Sequence, residues 1–288
     1  MEIRQDNNYS FNFLGMHDPF LLKNMGNALK RIIKAVNERE KIVIYGNCDL
    51  DGVTAVSLLF LVLKYLNSDV EYFISDDMND KLNINSDIIK NHIKFLGAKL
   101  IITTGCGSQS TSQVDLCRKL GMDVIVTDYH RCSNHLPRAV VVNPNQRDCT
   151  YPFKGLTAVG VAFKLSQAIS MYYQMRCINK YLDLVVLGTL SKGMKIEDEN
   201  KEMIDQGIYH LKYTNNYGFK ALMKVYNIKN INKENIFKLS NDMTPSTNVS
   251  NRYIDNARIA VELFTTGKMD RAEQIAKYLK NEILEWQF

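Results

Sequence analysis

The chain has 288 residues, 45% hydrophobic and 23% charged, and its 36 basic against 31 acidic side chains give a formal charge of +5. That balance describes a globular protein with at least one full core, and a charge this mild fits a phosphate-bearing partner as readily as none. No apolar run reaches the roughly 20 residues needed to span a bilayer, and the opening Met1-Glu2-Ile3-Arg4-Gln5-Asp6 lacks the basic start and apolar stretch of a signal peptide, so a cytoplasmic protein without a membrane partner is expected.

Asp18 and Pro19 supply an N-cap and a first helical position, and Leu22, Met25, Leu29, Ile32, Ile33 and Val36 follow at helical spacing, which predicts a helix over 19–37. An apolar run over 42–45 then meets Gly46, and a helix-compatible stretch occupies 53–66. The alternation repeats, with a strand at 70–74, a helix at 88–95, a strand at 100–103, a helix to about 120, and strands at 124–127 and 140–142. Short apolar strands alternating with helices predict an α/β fold with a five-stranded parallel sheet flanked by helices. Ligands bind such sheets beyond the carboxyl ends of the strands, here Gly46-Asn47-Cys48-Asp49, Thr104-Gly105-Cys106-Gly107 and Asp128-Tyr129-His130.

Beyond Gly160 the pattern becomes helical over 161–173, 179–190 and 202–211, and a Lys- and Asn-rich stretch at 227–235 reads as a surface connection. Two helical segments broken near Gly267 close the chain, with Ala272, Ile275, Ala276, Leu279 and Ile283 on one face of a long C-terminal connecting helix. The expected organisation is an α/β core over 1–195 and a helical extension over 196–288.

Several of these segments resemble the RecJ branch of the DHH phosphoesterase family. His17-Asp18-Pro19-Phe20-Leu21-Leu22 is similar to that family's opening helix, and Gly46-Asn47-Cys48-Asp49-Leu50-Asp51-Gly52-Val53-Thr54 to its first motif, G-D-x-D-x-D-G-x-T. Thr104-Gly105-Cys106-Gly107 stands where the family carries V-D-C-G, and Val126-Thr127-Asp128-Tyr129-His130 where it carries V-T-D-H-H. Asn143-Pro144-Asn145-Gln146, Tyr151-Pro152-Phe153-Lys154 and Val159-Gly160-Val161-Ala162-Phe163-Lys164 match nearly residue for residue. Leu182-Asp183-Leu184-Val185-Val186-Leu187-Gly188-Thr189 with Glu199-Asn200 follows the fourth motif, and Pro245, Asn248 and Arg252 keep a later P-x-x-N-x-x-x-R signature. So many motifs in order are specific for ancestry.

The resemblance implies hydrolysis of phosphodiesters by two divalent ions, usually manganese, held by oxygen and imidazole ligands. Motif by motif, the ligand positions fall on Asn47, Asp49, Gly105, Tyr129 and Lys192, and of these five only Asp49 keeps its ligand chemistry. A lysine facing a dication replaces attraction with repulsion, about 4 kcal/mol for unit charges ~4 Å apart at an effective dielectric of ~20. The stretch 75–82 lacks the family's arginine-containing Gly-Tyr-Gly loop, and the DHHA1 lobe that follows in RecJ-like proteins is expected to be absent. The reading is therefore a catalytically inactive relative that binds nucleic acid or serves as a scaffold in replication or repair complexes, with no metal cofactor expected. The alternative is a metal-dependent phosphodiesterase, either a 5′-3′ single-strand exonuclease or an oligonucleotide or cyclic-dinucleotide hydrolase, which would require Mn2+ or Mg2+.

Asp49, Asp51, Asp128 and His130 persist at the old centre, and Asp49, Asp128 and His130 are the weak candidates for a residual ion; the plainer reading has them capping loops. Lys192 is a candidate to neutralise Asp49 or Asp128. The six cysteines include no C-x-x-C pair, so reduced thiols are expected, although Cys48, Cys106, His130 and Cys132 form a zinc-compatible set on neighbouring strand ends. Between Tyr209 and Lys238, lysines interleave with aromatic residues. Lys212, Lys220, Lys224, Tyr213 and Tyr217 are the candidates there for single-stranded nucleic acid, beside Arg252 and the loop-to-helix pair Gly160 and Lys164. A protein partner is expected on the C-terminal helix if Ile275, Leu279, Ile283 and Trp286 form an exposed apolar face.

Overall fold

The computed structural model describes residues 15–75, 82–176, 178–243 and 252–284, with the side chains of 252–255 and 283–284 excepted. Pro245, Asn248, Trp286, most of the 75–82 loop and the side chains of Arg252 and Ile283 thus lie outside the described residues.

Five strands, β1 (Ile42–Asn47), β2 (Val70–Ser75), β3 (Leu100–Thr104), β4 (Asp123–Thr127) and β5 (Val140–Val142), form one sheet in the order β2-β1-β3-β4-β5. Every neighbouring pair is parallel, as the strand–helix alternation predicts. The pleat sends alternate residues to opposite faces. Ile42, Ile44, Ile102 and Ile125 enter one hydrophobic cluster, while Val43, Tyr45, Ile101, Val124 and Val126 enter a second.

On the second face lie α3 (Ser86–Asn91), a 3-10 turn (Ile93–Leu96) and α4 (Thr111–Lys119). The larger face carries α1 (Met25–Asn37), α2 (Leu50–Tyr65), α5 (Ala158–Tyr173) and α6 (Leu182–Ser191). Helix α2 is apolar almost all round and is buried between the sheet and α5, α6 and α10 (Arg252–Thr265). Around α6 pack α7 (Asp198–Leu211) and α9 (Lys233–Met243), and α8 (Tyr217–Val225) leans on α10 and on α11 (Met269–Leu284). The first cluster runs without interruption from Met16 to Leu279.

Three differences from the sequence expectations have local causes. The first helix is divided: a 3-10 turn over Pro19–Leu21, capped by the Asp18 side chain, ends at Leu22, and Asn24, with a φ of 68°, starts α1 afresh. The 88–95 segment breaks at His92. The 227–235 connection is shorter than expected because α9 begins at Lys233. The face of α11 offered to a protein partner is turned inward: Ile275 and Leu279 are buried, and the helix packs against α8, α9 and α10. That expectation loses its support, because the covering surface comes from the chain itself. Among the described residues no helix is long and apolar enough to cross a membrane.

Candidate functional site: the carboxyl ends of the strands

Strand β1 pairs with β2 on one side and β3 on the other, so the chain's crossovers diverge between β1 and β3, the switch point where such sheets form a crevice. Around it stand Asn47 at the end of β1, Asp49 and Asp51 at the start of α2, Gly105 after β3, Asp128, Tyr129 and His130 after β4, and Lys192 at the end of α6.

Asp49 is the N-cap of α2, accepting the Gly52 N–H at 2.8 Å. Its other carboxylate oxygen meets the Lys192 ammonium at 2.8 Å, and that ammonium also stands 5.6 Å from the centre of the Tyr129 ring. Lys192 caps the C-terminus of α6, where the helix dipole favours a cation. Burial opposes its charge, but Asp49, Asp51 and Tyr129 together hold its pKa well above the ordinary lysine value. Burial pushes the Tyr129 phenol up to about 12, so the ring stays neutral.

Asp51 is fully buried and accepts the backbone N–H groups of Ala158 at 3.0 Å and Val159 at 2.8 Å, the first two residues of α5. Burial raises its pKa to about 6 while Lys192 and those two N–H donors pull the other way. The Thr157 hydroxyl takes the Gly160 N–H at 3.2 Å. The helix start proposed as an anion site therefore already holds an internal anion. Gly160 is buried, and Lys164 is buried with its ammonium 2.8 Å from Glu199, so neither is presented to a phosphate from outside.

Asp128 is buried and accepts from Ser108 N–H at 3.0 Å, Tyr129 N–H at 2.8 Å and His130 Nδ1 at 2.8 Å. Burial acts against its charge, but the His130 ring and the backbone N–H groups of Ser108 and His130 prevail and lower its pKa. Lys192 thus neutralises Asp49, and the partner of Asp128 is His130. The Asn47 amide faces the Gly105 carbonyl at 3.5 Å. Gly105 itself adopts φ +72°, and a Cβ there would lie 2.8 Å from the Cβ of Ala158.

This donor set does not fit two divalent ions. The surviving carboxylates are occupied by an ammonium, a helix start and a histidine, and among the described residues no group of three or more His, Cys, Asp or Glu side chains is placed to hold an ion. The zinc-compatible quartet is not assembled either: Cys48 packs into the first cluster and Cys106 into the second, on opposite faces of the sheet. Sequence reasoning missed how the ends of β1 and β3 are tied to α5.

The remaining candidates lie away from the crevice. Lys212, Tyr213, Tyr217, Lys220 and Lys224 are all exposed, at the turn from α7 into α8 and along α8. Lys224 is paired with Glu273 of α11 at 2.6 Å.

Comparison with known proteins places this geometry. The family described as "DHH family, N-terminal domain" matches residues 41–189. The single-stranded-DNA-specific exonuclease RecJ of Bacillus subtilis is 36% identical over 264 residues, which cover 90% of this chain and 32% of that protein. The RecJ of Haemophilus influenzae is 30% identical over 273 residues, covering 91% of this chain and 47% of that protein. The chain spans at most about half the length of these curated relatives. Among solved structures, an exonuclease RecJ bound to manganese superposes with a TM-score of 0.81 at 21% identity, covering 92% of this chain and 67% of that one. At that identity the likeness speaks to the fold.

Proposed function

Since the chain belongs to the DHH family, in its RecJ-like branch, we propose that it is a noncatalytic member that binds single-stranded nucleic acid, as a scaffold in replication or repair, without hydrolysing it. The observation that carries this reading is the Lys192 ammonium, 2.8 Å from Asp49, at the position the family motif gives to an acidic metal ligand. An internal cation there compensates the acidic remnant of the site and repels any dication that approaches it. Asn47, Gly105 and Tyr129 add amide, hydrogen and phenol where the motif has carboxylates and an imidazole. Within this reading 1–195 is the DHH-like α/β core and 196–288 the helical extension. Substrate strands would meet the extension's basic, aromatic surface rather than a reactive centre.

A second reading, an exonuclease or a hydrolase of oligonucleotides or cyclic dinucleotides using Mn2+ or Mg2+, is favoured by the 36% identity to a protein named as an exonuclease. One assay separates the two. The purified chain is incubated with manganese and end-labelled single strands while binding is followed in parallel. Retention of the strands without release of nucleotides is expected. Manganese-dependent cleavage that disappears in Asp49→Ala would establish the hydrolase instead.

A further inference from the structure

The corner between α7 and α8 carries the most exposed tyrosine cluster among the described residues. Tyr213 is 71% exposed, Tyr209 57% and Tyr217 37%. Tyr209 and Tyr213 stand 5.5 Å apart, inclined at 61°; Tyr213 lies in the five-residue connection between the two helices and Tyr217 opens α8. Such rings are amphipathic plates, and His210 also stands against Tyr209, with ring centres 5.6 Å apart. Were they there only to fill the core, they would lie beneath the helices with Leu211 and Phe219, both fully buried.

Cations follow the rings. Lys212 is exposed beside Tyr213, and Tyr217, Lys220 and Lys224 fall at i, i+3 and i+7, one stripe of α8. The Lys220 ammonium lies 5.7 Å from the centre of the Tyr217 ring. Two acids near the corner have cationic partners, Asp205 with Lys201 at 2.7 Å and Glu273 with Lys224 at 2.6 Å, and a third, Asp183, lies buried beneath it on the Thr214 hydroxyl. Lys212 and Lys220 therefore give the rings a positive surround. Where α8 ends, a cavity of about 400 Å3 opens, lined in part by Tyr226, Asn227, Lys229, Asn235, Lys238 and Asp242. The buried Tyr226 hydroxyl has no hydrogen-bond partner among the described residues. Two ammonium groups outnumber one carboxylate there, beside three neutral amides, so the cavity too suits a polar, anionic guest.

We propose that the Tyr209–Tyr213–Tyr217 cluster and the Lys220 stripe of α8 form a track for single-stranded nucleic acid that runs toward the Tyr226 cavity. Bases stack on the tyrosines, phosphates meet Lys212 and Lys220, and the cavity receives the end of the strand. Rings alternating with cations are the arrangement that single strands require, because every base has a face to stack and every linkage a charge to meet. Duplex DNA hides its base faces and would use only the lysines. This assignment rests on the nucleic-acid reading above but places the contact on a surface remote from the Lys192–Asp49 pair.

The test is fluorescence anisotropy of labelled oligothymidylate against the whole chain over a range of salt. Tyr213→Ala and Tyr217→Ala should each weaken binding about fivefold or more, since stacking is worth ~1 kcal/mol or more per base. Tyr213→Phe and Tyr217→Phe should retain it, because the ring remains. Lys220→Glu should lower the salt dependence, and Lys238→Glu should weaken binding of strands long enough to reach the cavity. These side chains are exposed, so unchanged melting temperatures will show that the variants fold. Oligonucleotide binding that the alanine variants leave untouched overturns the track and spares the function proposed above. Duplex bound as tightly as single strand also overturns it. No binding of any oligonucleotide at low salt overturns both.

Discussion

Gly105 shows how one residue can close off a site. At φ +72° it occupies the left-handed region, and a Cβ added there would approach the Ala158 methyl to 2.8 Å, closer than carbon atoms tolerate. Any side chain at this position must carry that Cβ, so the methyl of Ala158 opposes an acid there before its charge is considered. Gly105→Ala tests the steric part alone. It is expected to destabilise the chain by about 2 kcal/mol or more from backbone strain and overlap, and adding Ala158→Gly should recover ~1 kcal/mol beyond the sum of the single changes. Urea unfolding of the four proteins in the cycle measures this, and strictly additive losses would show that the two residues do not oppose each other. The identities of Asn47, Gly105, Tyr129 and Lys192 were legible in the sequence. The placing of Lys192 was only half legible, since its partner was open between Asp49 and Asp128 until the spatial arrangement chose Asp49.

Helices and strands were legible where periodicity is strong, as in the sheet and α11, and less so where a side chain from elsewhere sets a boundary. Helix α5 starts at Ala158 rather than at residue 161 because Thr157 caps it and Asp51, from α2, binds its first two N–H groups. No local pattern encodes a cap delivered across the fold. Helix α6 holds a similar hidden group. Asp183, in its first turn, is buried and accepts the Thr214 hydroxyl at 2.7 Å, and burial pushes its pKa from 3.8 to about 7 against the opposing pull of Thr214, the Leu184 N–H and Lys180. The folded chain then keeps a proton that the unfolded chain has released, so stability should fall as pH rises from about 4 to about 7 and level off above. The loss attributable to Asp183 is on the order of 4 kcal/mol, from ~1.4 kcal/mol for each pKa unit. Asp183→Asn should match the parent near pH 4, exceed it near pH 8, and flatten the profile between. Thermal melts across that range check it, and an unchanged slope in the variant would remove Asp183 as the cause.

At the scale of the whole molecule, distant parts of the chain meet at one buried ion pair. Lys164 of α5 and Glu199 of α7 are both fully buried and 2.8 Å apart. Glu199 also accepts the Tyr151 hydroxyl and the His17 backbone N–H, and the Lys164 ammonium donates to the His17 carbonyl. The network thus ties the first described segment, the loop before α5 and helix α7 to one point. Burial lowers the lysine pKa and Glu199 opposes that shift, the balance expected of a pair held together by its own geometry. Removing one partner strands a charge in the interior, so Lys164→Met should cost about 3–5 kcal/mol of global stability and loosen the segment around His17 in hydrogen exchange. Adding Glu199→Gln removes the stranded charge while keeping an acceptor for Tyr151, and should recover most of the loss. If the double variant unfolds no later than Lys164→Met alone, the cost lies in lost packing of the lysine stem. The charge would then be incidental to how α7 is held against α5.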